Sequence, residues 1–290
     1  MLAVPEQPQR APRAEPREVV ELKQLKAEQP ELASAVDMQL ALVDMQRRVQ
    51  SRVPLPWIQV DDGWVRTQQT AGRPIVRFAD IPLDWSDFRL TFRQTADILR
   101  RYDALEPVDH SAIVALGRDG HVLEPIVTQW YAATSGVEGG DSRNRLPADA
   151  PAGLDQVLVL ALRPFLIRSV EALARMELPP WHHGHCPFCG WEPDFAVITP
   201  HAERRLICGR CAAQWSYAPL TCPFCSNDDR SLITSFATRD GRYRVYACDV
   251  CRRYLKAYDG RRASRPVMVS VDSIATLPLD AAAMQRGYTG

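Results

Sequence analysis

Residues 186–251 read CPFCGWEPDFAVITPHAERRLICGRCAAQWSYAPLTCPFCSNDDRSLITSFATRDGRYRVYACDVC, and all eight cysteines of the 290-residue chain lie within them. They form four CxxC pairs: Cys186/Cys189, Cys208/Cys211, Cys222/Cys225 and Cys248/Cys251. A CxxC turn sets two thiols on one side of a tight loop, so two facing turns supply the four sulfurs of a tetrahedral site. Four turns make two sites, and soft thiolate donors select zinc or iron over magnesium, calcium or manganese.

Other uses of cysteine fit less well. Structural disulfides need an oxidising compartment, whereas the first residues, MLAVPEQPQRAPRAEPREVV, lack the charged head, apolar stretch and cleavage site of a signal peptide. A thioredoxin-like redox motif would use one CxxC beside a βαβ unit. Ferredoxin-type iron-sulfur spacings bunch three cysteines together, and here they come in twos. The chain is therefore expected to be cytoplasmic, with its cysteines committed to metal.

Between the turns the pattern has the short period of strands. Phe195 to Thr199 and Arg204 to Ile207 flank Pro200-His201-Ala202-Glu203, which reads as a hairpin leading into Cys208. Leu232 to Ala237 and Tyr243 to Ala247 flank an Asp240-Gly241 turn leading into Cys248. Turn, hairpin, turn thus occurs twice, so each hairpin returns the chain to its own first cysteine pair. Site 1 is then Cys186, Cys189, Cys208 and Cys211, and site 2 is Cys222, Cys225, Cys248 and Cys251. A cross-braced alternative would pair Cys186/Cys189 with Cys222/Cys225.

The first 180 residues contain no cysteine and carry helical spacing. Apolar residues from Leu32 to Val49 predict a helix over 31–52, stopped by Pro54 and Pro56. Asp84 reads as the N-cap of a helix to about Tyr102 that buries Phe88, Phe92, Thr95 and Leu99. Shorter helices are expected over 110–116 and 122–134, then a loop over 135–151 and a long apolar helix from Leu154. Residues 61–78 are ambiguous. The fold class expected is α+β, with a disordered tail over 1–18, a helical domain over 19–180 and two small four-cysteine β modules. These modules cover 181–219 and 220–290, the second ending in a C-terminal helix.

Charge excludes some partners. The chain has 35 basic and 35 acidic residues, without the basic excess that meets nucleic acid. Residues 181–290 carry a surplus of four positive charges, which eight thiolates around two divalent ions would offset. The most apolar stretch, Leu154 to Met176, holds five charged residues and Pro164, so it reads as a buried helix rather than a membrane span. His182, His183 and His185 crowd the first turn, but four sulfurs per site leave no need for another ligand. The aromatics near the cysteines, such as Trp191, Trp215, Tyr217 and Tyr243, are expected to pack over the sites. No Gly-rich phosphate loop, HExxH or GxSxG is present, and no nucleophile or acid-base pair stands out, so no enzymatic role is expected.

The ordered motifs resemble one family, the formate dehydrogenase accessory protein FdhE. They are Gly184-His185-Cys186-Pro187-Phe188-Cys189-Gly190, Leu206-Ile207-Cys208-Gly209-Arg210-Cys211 with Trp215, Cys222-Pro223-Phe224-Cys225, and Cys248-Asp249-Val250-Cys251 with Tyr254-Leu255-Lys256. A terminal signature follows in Asp272, Leu277-Pro278-Leu279-Asp280, Ala283 and Gly287-Tyr288. The resemblance implies a helical domain, two rubredoxin-like metal sites holding iron rather than zinc, and a cytoplasmic maturation factor. Its partner would be the catalytic subunit of a molybdenum- or tungsten-dependent formate dehydrogenase. One departure stands out: rubredoxin-type turns usually place Gly after the second cysteine, and only Gly190 does so, with Ala212, Ser226 and Arg252 at the other three places. Two other readings remain for the ribbons, a zinc-ribbon nucleic-acid-binding protein and a rubredoxin-like electron carrier.

Overall fold

Aspartate caps set the helix starts. Asp84 accepts the Asp87 amide at 2.9 Å, Asp61 the Trp64 amide at 2.7 Å, and Asp119 the His121 amide at 3.0 Å; each such cap contributes about 1 kcal/mol. The computed structural model describes residues 14–135, 146–176, 180–263 and 265–290. In it, α1 (Arg17–Glu28), α2 (Ala33–Gln50), α3 (Asp62–Thr70), α4 (Trp85–Arg101), α5 (Pro107–Leu116), α6 (Gly120–Thr134) and α7 (Leu154–Leu173) precede the cysteines. Six strands follow: β1 (Pro193–Ile198), β2 (Arg204–Cys208), β3 (Gln214–Ser216), β4 (Ile233–Ala237), β5 (Tyr243–Cys248) and β6 (Tyr254–Asp259). The chain ends with α8 (Val269–Ala275) and α9 (Leu277–Gln285). The α+β class expected from the sequence is the architecture found.

Several elements differ from their sequence reading. The ambiguous stretch over 61–78 contains α3, begun by the Asp61 cap. Helix α1 starts at Arg17, inside the tail expected over 1–18, of which residues 1–13 lie outside the described residues. Its buried Leu22 and Leu25 form only a narrow apolar stripe in a charged sequence. The loop expected over 135–151, and residues 177–179 just before the boundary expected between 180 and 181, fall partly or wholly outside the described residues. The single C-terminal helix is two helices, α8 and α9, separated by Thr276.

The two cysteine modules share one sheet. The strand order is β3-β2-β1-β6-β5-β4, with β1–β2, β2–β3, β4–β5 and β5–β6 antiparallel and a parallel seam between β1 and β6. Across that seam Phe195 aligns with Lys256 and Val197 with Tyr258. Each module is therefore a three-stranded meander. The third strand of each, β3 and β6, runs on from a CxxC turn.

The inner strands β1, β2 and β6 are buried on both faces. Ala196, Leu206, Leu255 and Ala257 join the large core made by α4, α6 and α7, including Phe88, Phe92, Trp130 and Phe165. Their alternate neighbours Phe195, Val197, Ile207, Tyr254 and Tyr258 join Tyr243 and Val245 against Leu279, Ala283 and Tyr288 of the C-terminal segment. Burial of both faces explains why β6, Tyr-Leu-Lys-Ala-Tyr-Asp, shows no alternation of apolar and polar residues. The two ends of the chain also meet, since Val271 and Ile274 of α8 pack with Leu22, Leu25, Val36 and Val43 of α1 and α2.

The terminal signature acts as a set of clamps. Asp280 accepts from Tyr254 Oη at 2.7 Å and Lys256 Nζ at 2.6 Å. Fully buried Asp272 takes Tyr243 Oη and the Arg265 guanidinium, both at 2.7 Å. Tyr288 Oη donates to Asp249, inside the fourth CxxC turn, at 2.6 Å. These bonds fasten α8, α9 and the residues after them to the sheet.

Away from the seam the modules also approach closely at Gly184, where an added Cβ would lie 1.8 Å from the Pro223 carbonyl oxygen. Gly184 precedes the first cysteine pair and Pro223 lies inside the third, so neither backbone can yield without moving a thiol. Gly184→Ala is expected to cost at least about 2–3 kcal/mol, measured by denaturant unfolding. A cost below the error of that measurement would contradict the close approach.

Candidate metal centres

Each CxxC turn repeats one backbone pattern. The amides of Cys186, Cys208, Cys222 and Cys248 donate to the carbonyls of Trp191, Ala213, Asn227 and Arg253 at 2.8–2.9 Å. The residue after each second cysteine donates back to the first cysteine's carbonyl: Gly190 to Cys186, Ala212 to Cys208, Ser226 to Cys222 and Arg252 to Cys248, at 2.9–3.1 Å. That closure requires left-handed backbone at all four places, with φ of 72° at Gly190, 60° at Ala212 and Ser226 and 59° at Arg252. The turn is thus kept where glycine is absent. A non-glycine residue there costs about 1–2 kcal/mol, which the surrounding structure must over-determine.

The turns bring the thiols together in two sets. Cys186, Cys189, Cys208 and Cys211 converge in one, Cys222, Cys225, Cys248 and Cys251 in the other, and within each set all sulfurs lie inside 4.8 Å of one another. In the first set Sγ–Sγ separations are 3.6 Å (Cys186–Cys211), 3.4 Å (Cys189–Cys208) and 3.5 Å (Cys189–Cys211). In the second they are 3.6 Å (Cys222–Cys251) and 3.7 Å (Cys225–Cys248). A tetrahedron with metal–sulfur bonds of about 2.3 Å has edges of roughly 3.8 Å, so both sets can hold a metal ion with little adjustment. A disulfide needs sulfurs at about 2.05 Å, and all eight cysteines are free. The cross-braced alternative is not the arrangement found. Four thiolates suit zinc and iron alike.

Among the described residues, no other group of three or more His, Cys, Asp or Glu side chains converges in this way. The crowded histidines pack elsewhere: His185 Nε2 lies 2.9 Å from the Gly72 carbonyl, its ring stacks on His183 at 5.2 Å, and Trp181 lies against both. They join the first turn to the end of α3. Beside them the Ile75 and Val76 amides donate to the Pro187 and Phe188 carbonyls at 2.9 Å.

Arg210, within the second turn, was not singled out by sequence reasoning. Its side chain is fully buried. The guanidinium sits 4.5–5.3 Å from the ring centres of Trp130, Tyr131 and Trp191, donates to Thr134 Oγ1 at 2.9 Å and Ser135 Oγ at 3.1 Å, and also bonds the Cys189 carbonyl. It joins α6 to the first cluster. The planar fork and its stacking suit arginine rather than lysine. The second turn also turns amides on sulfur, with Arg210 N and Cys211 N each 3.4 Å from Cys208 Sγ.

Each cluster favours one thiolate. Burial pushes the Cys186 and Cys211 thiols well above the ordinary thiol value. At Cys189 burial is outweighed by hydrogen bonds from Cys186, Cys208 and Cys211 and by the Arg210 charge, which hold its pKa well below that value. In the second cluster burial raises Cys222 and brings Cys251 up to about 11. There burial of Cys248 is outweighed by the Cys251 and Val250 amides. Ligands must be deprotonated to bind a metal, so loading either cluster releases protons.

No family model matches the chain. The FdhE homolog of Stutzerimonas stutzeri (strain A1501) is 32% identical over 107 residues, 36% of this chain and 35% of that protein. The Pseudomonas aeruginosa PAO1 FdhE homolog is 28% identical over 113 residues, 36% of each chain. The match thus spans about a third of these relatives' length. The crystal structure of the FdhE protein from Pseudomonas aeruginosa superposes with a TM-score of 0.63, covering 94% of this chain and 92% of that one at 21% identity. Over about a third of its length the chain is similar in sequence to FdhE homologs, and over most of its length it shares the fold of the FdhE crystal structure. In this chain the fold surrounds two four-cysteine clusters, and Ala212, Ser226 and Arg252 adopt the left-handed turn that Gly190 adopts freely.

That strain is measurable. Ala212→Gly is expected to raise the stability of the metal-loaded protein by about 0.5–1 kcal/mol, relief of the left-handed backbone outweighing the greater unfolded-state entropy of glycine. A decrease in the denaturant midpoint at unchanged slope would contradict it.

Proposed function

We propose that this chain is a member of the FdhE family and a cytoplasmic accessory factor for a molybdenum- or tungsten-dependent formate dehydrogenase, binding the enzyme's catalytic subunit during maturation. The eight cysteines ligate two metal ions in rubredoxin-like sites, iron by family resemblance, and their first task is to hold the CxxC turns in register. The observation that carries this reading is the pair of tetrathiol clusters set in the FdhE fold.

The surroundings of the clusters favour a binding role over turnover. Charged side chains beside them are committed to structural contacts: Arg210 to α6, Arg253 to Glu192 through two bonds of 2.7 Å, and Lys256 to Asp280. Among the described residues, no helix is long and apolar enough to cross a membrane.

Affinity purification of the tagged chain from cells grown with formate tests the reading. Recovery of a formate dehydrogenase catalytic subunit, identified by mass spectrometry, is expected. Repeated recovery of nucleic acid or polymerase without that subunit would overturn the accessory role in favour of a nucleic-acid ribbon.

A further inference from the structure

The two clusters differ in access to solvent. In the first, Cys186, Cys189 and Cys208 expose nothing and Cys211 only 1%. Buried Phe188 and Arg210 and the Trp130–Trp191 ring pair, 5.6 Å apart, enclose it. In the second, Cys225 is exposed, Cys251 is half-buried, and Val250 between the cysteines of the fourth turn is 56% exposed. Ser226, beside Cys225, is also exposed.

Charge does not separate the two. Each has a buried guanidinium nearby: Arg210 at the first and, at the second, Arg204, which lines one small pocket with Cys222 and Cys248. Access does. Replacing a thiolate on a tetrahedral ion requires the incoming donor to approach the ion while the sulfur departs. A cluster with four buried thiolates admits that donor only through local opening of the sheet, a rare excursion for strands in a core. A cluster with a solvent-facing thiolate admits it in the native fold.

We infer that the two centres are kinetically distinct. The first holds its ion as a permanent part of the core. The second is an exchange site for a soft divalent ion, which enters and leaves past Cys225 and Cys251 without unfolding. This inference rests on the two-ion part of the proposed function and is independent of the client.

The test uses the full chain loaded with two zinc ions, its stoichiometry fixed by atomic absorption, and an excess of 4-(2-pyridylazo)resorcinol to report zinc release. Two phases of one ion each are expected, with rates at least about tenfold apart because only the slower needs the sheet to open. N-ethylmaleimide added during the fast phase should label Cys222, Cys225, Cys248 and Cys251 and spare Cys186, Cys189, Cys208 and Cys211, as read by peptide mass spectrometry. Both measurements use the unsubstituted protein, so no variant need fold. Release of both ions in one phase, or label on the first cluster during the fast phase, overturns the inference. A chain that loads fewer than two ions overturns the two-ion reading itself, at the loading step.

Discussion

Two sets of four thiols can converge in this chain because each CxxC turn closes on itself through a left-handed residue while the strands between the turns are fixed by one sheet. The turns alone would leave two small ribbons with little core. The parallel seam of β1 and β6 makes them one body, with Phe195 beside Lys256 and Val197 beside Tyr258. Everything else packs onto that body: the helices on one face, the C-terminal segment on the other, and Gly184 against Pro223 where the modules meet.

Much of this was legible because local chemistry wrote it down. Asp84 announces its helix, the Asp240-Gly241 turn its hairpin, and eight cysteines at CxxC spacing their own convergence. What escaped depends on distant partners. Strand β6 is buried on both faces, so its Tyr-Leu-Lys-Ala-Tyr run lacks the alternation that marks a half-exposed strand, and nothing nearby declares a parallel neighbour 61 residues upstream. Strand β3 has only three residues. Helix α1 buries its few leucines against α8, at the opposite end of the chain. Arg210 looked like any loop arginine, because Thr134, Trp130 and Tyr131, which receive it, lie on α6, with Thr134 76 residues earlier. The signal that could have flagged it is its place inside a CxxC turn whose neighbours must be buried.

The terminal signature gains a physical meaning from these contacts. Asp280, Asp272 and Tyr288 each complete a bond to a strand or turn residue, so the tail is part of how the second cluster is held. The first cluster is held from the helical side, through Arg210, His185 and the Ile75–Val76 bridge to Pro187 and Phe188. Two centres of the same donor set therefore belong to different mechanical surroundings, one sealed in the core and one at an open edge.

X-ray absorption at the metal edge of the protein as isolated tests the central claim most directly. The account predicts two ions per chain, each with a single shell of four sulfur neighbours at about 2.3 Å and no metal–metal vector. Nitrogen or oxygen neighbours in place of sulfur, or a short metal–metal distance, would contradict two separate tetrathiolate centres.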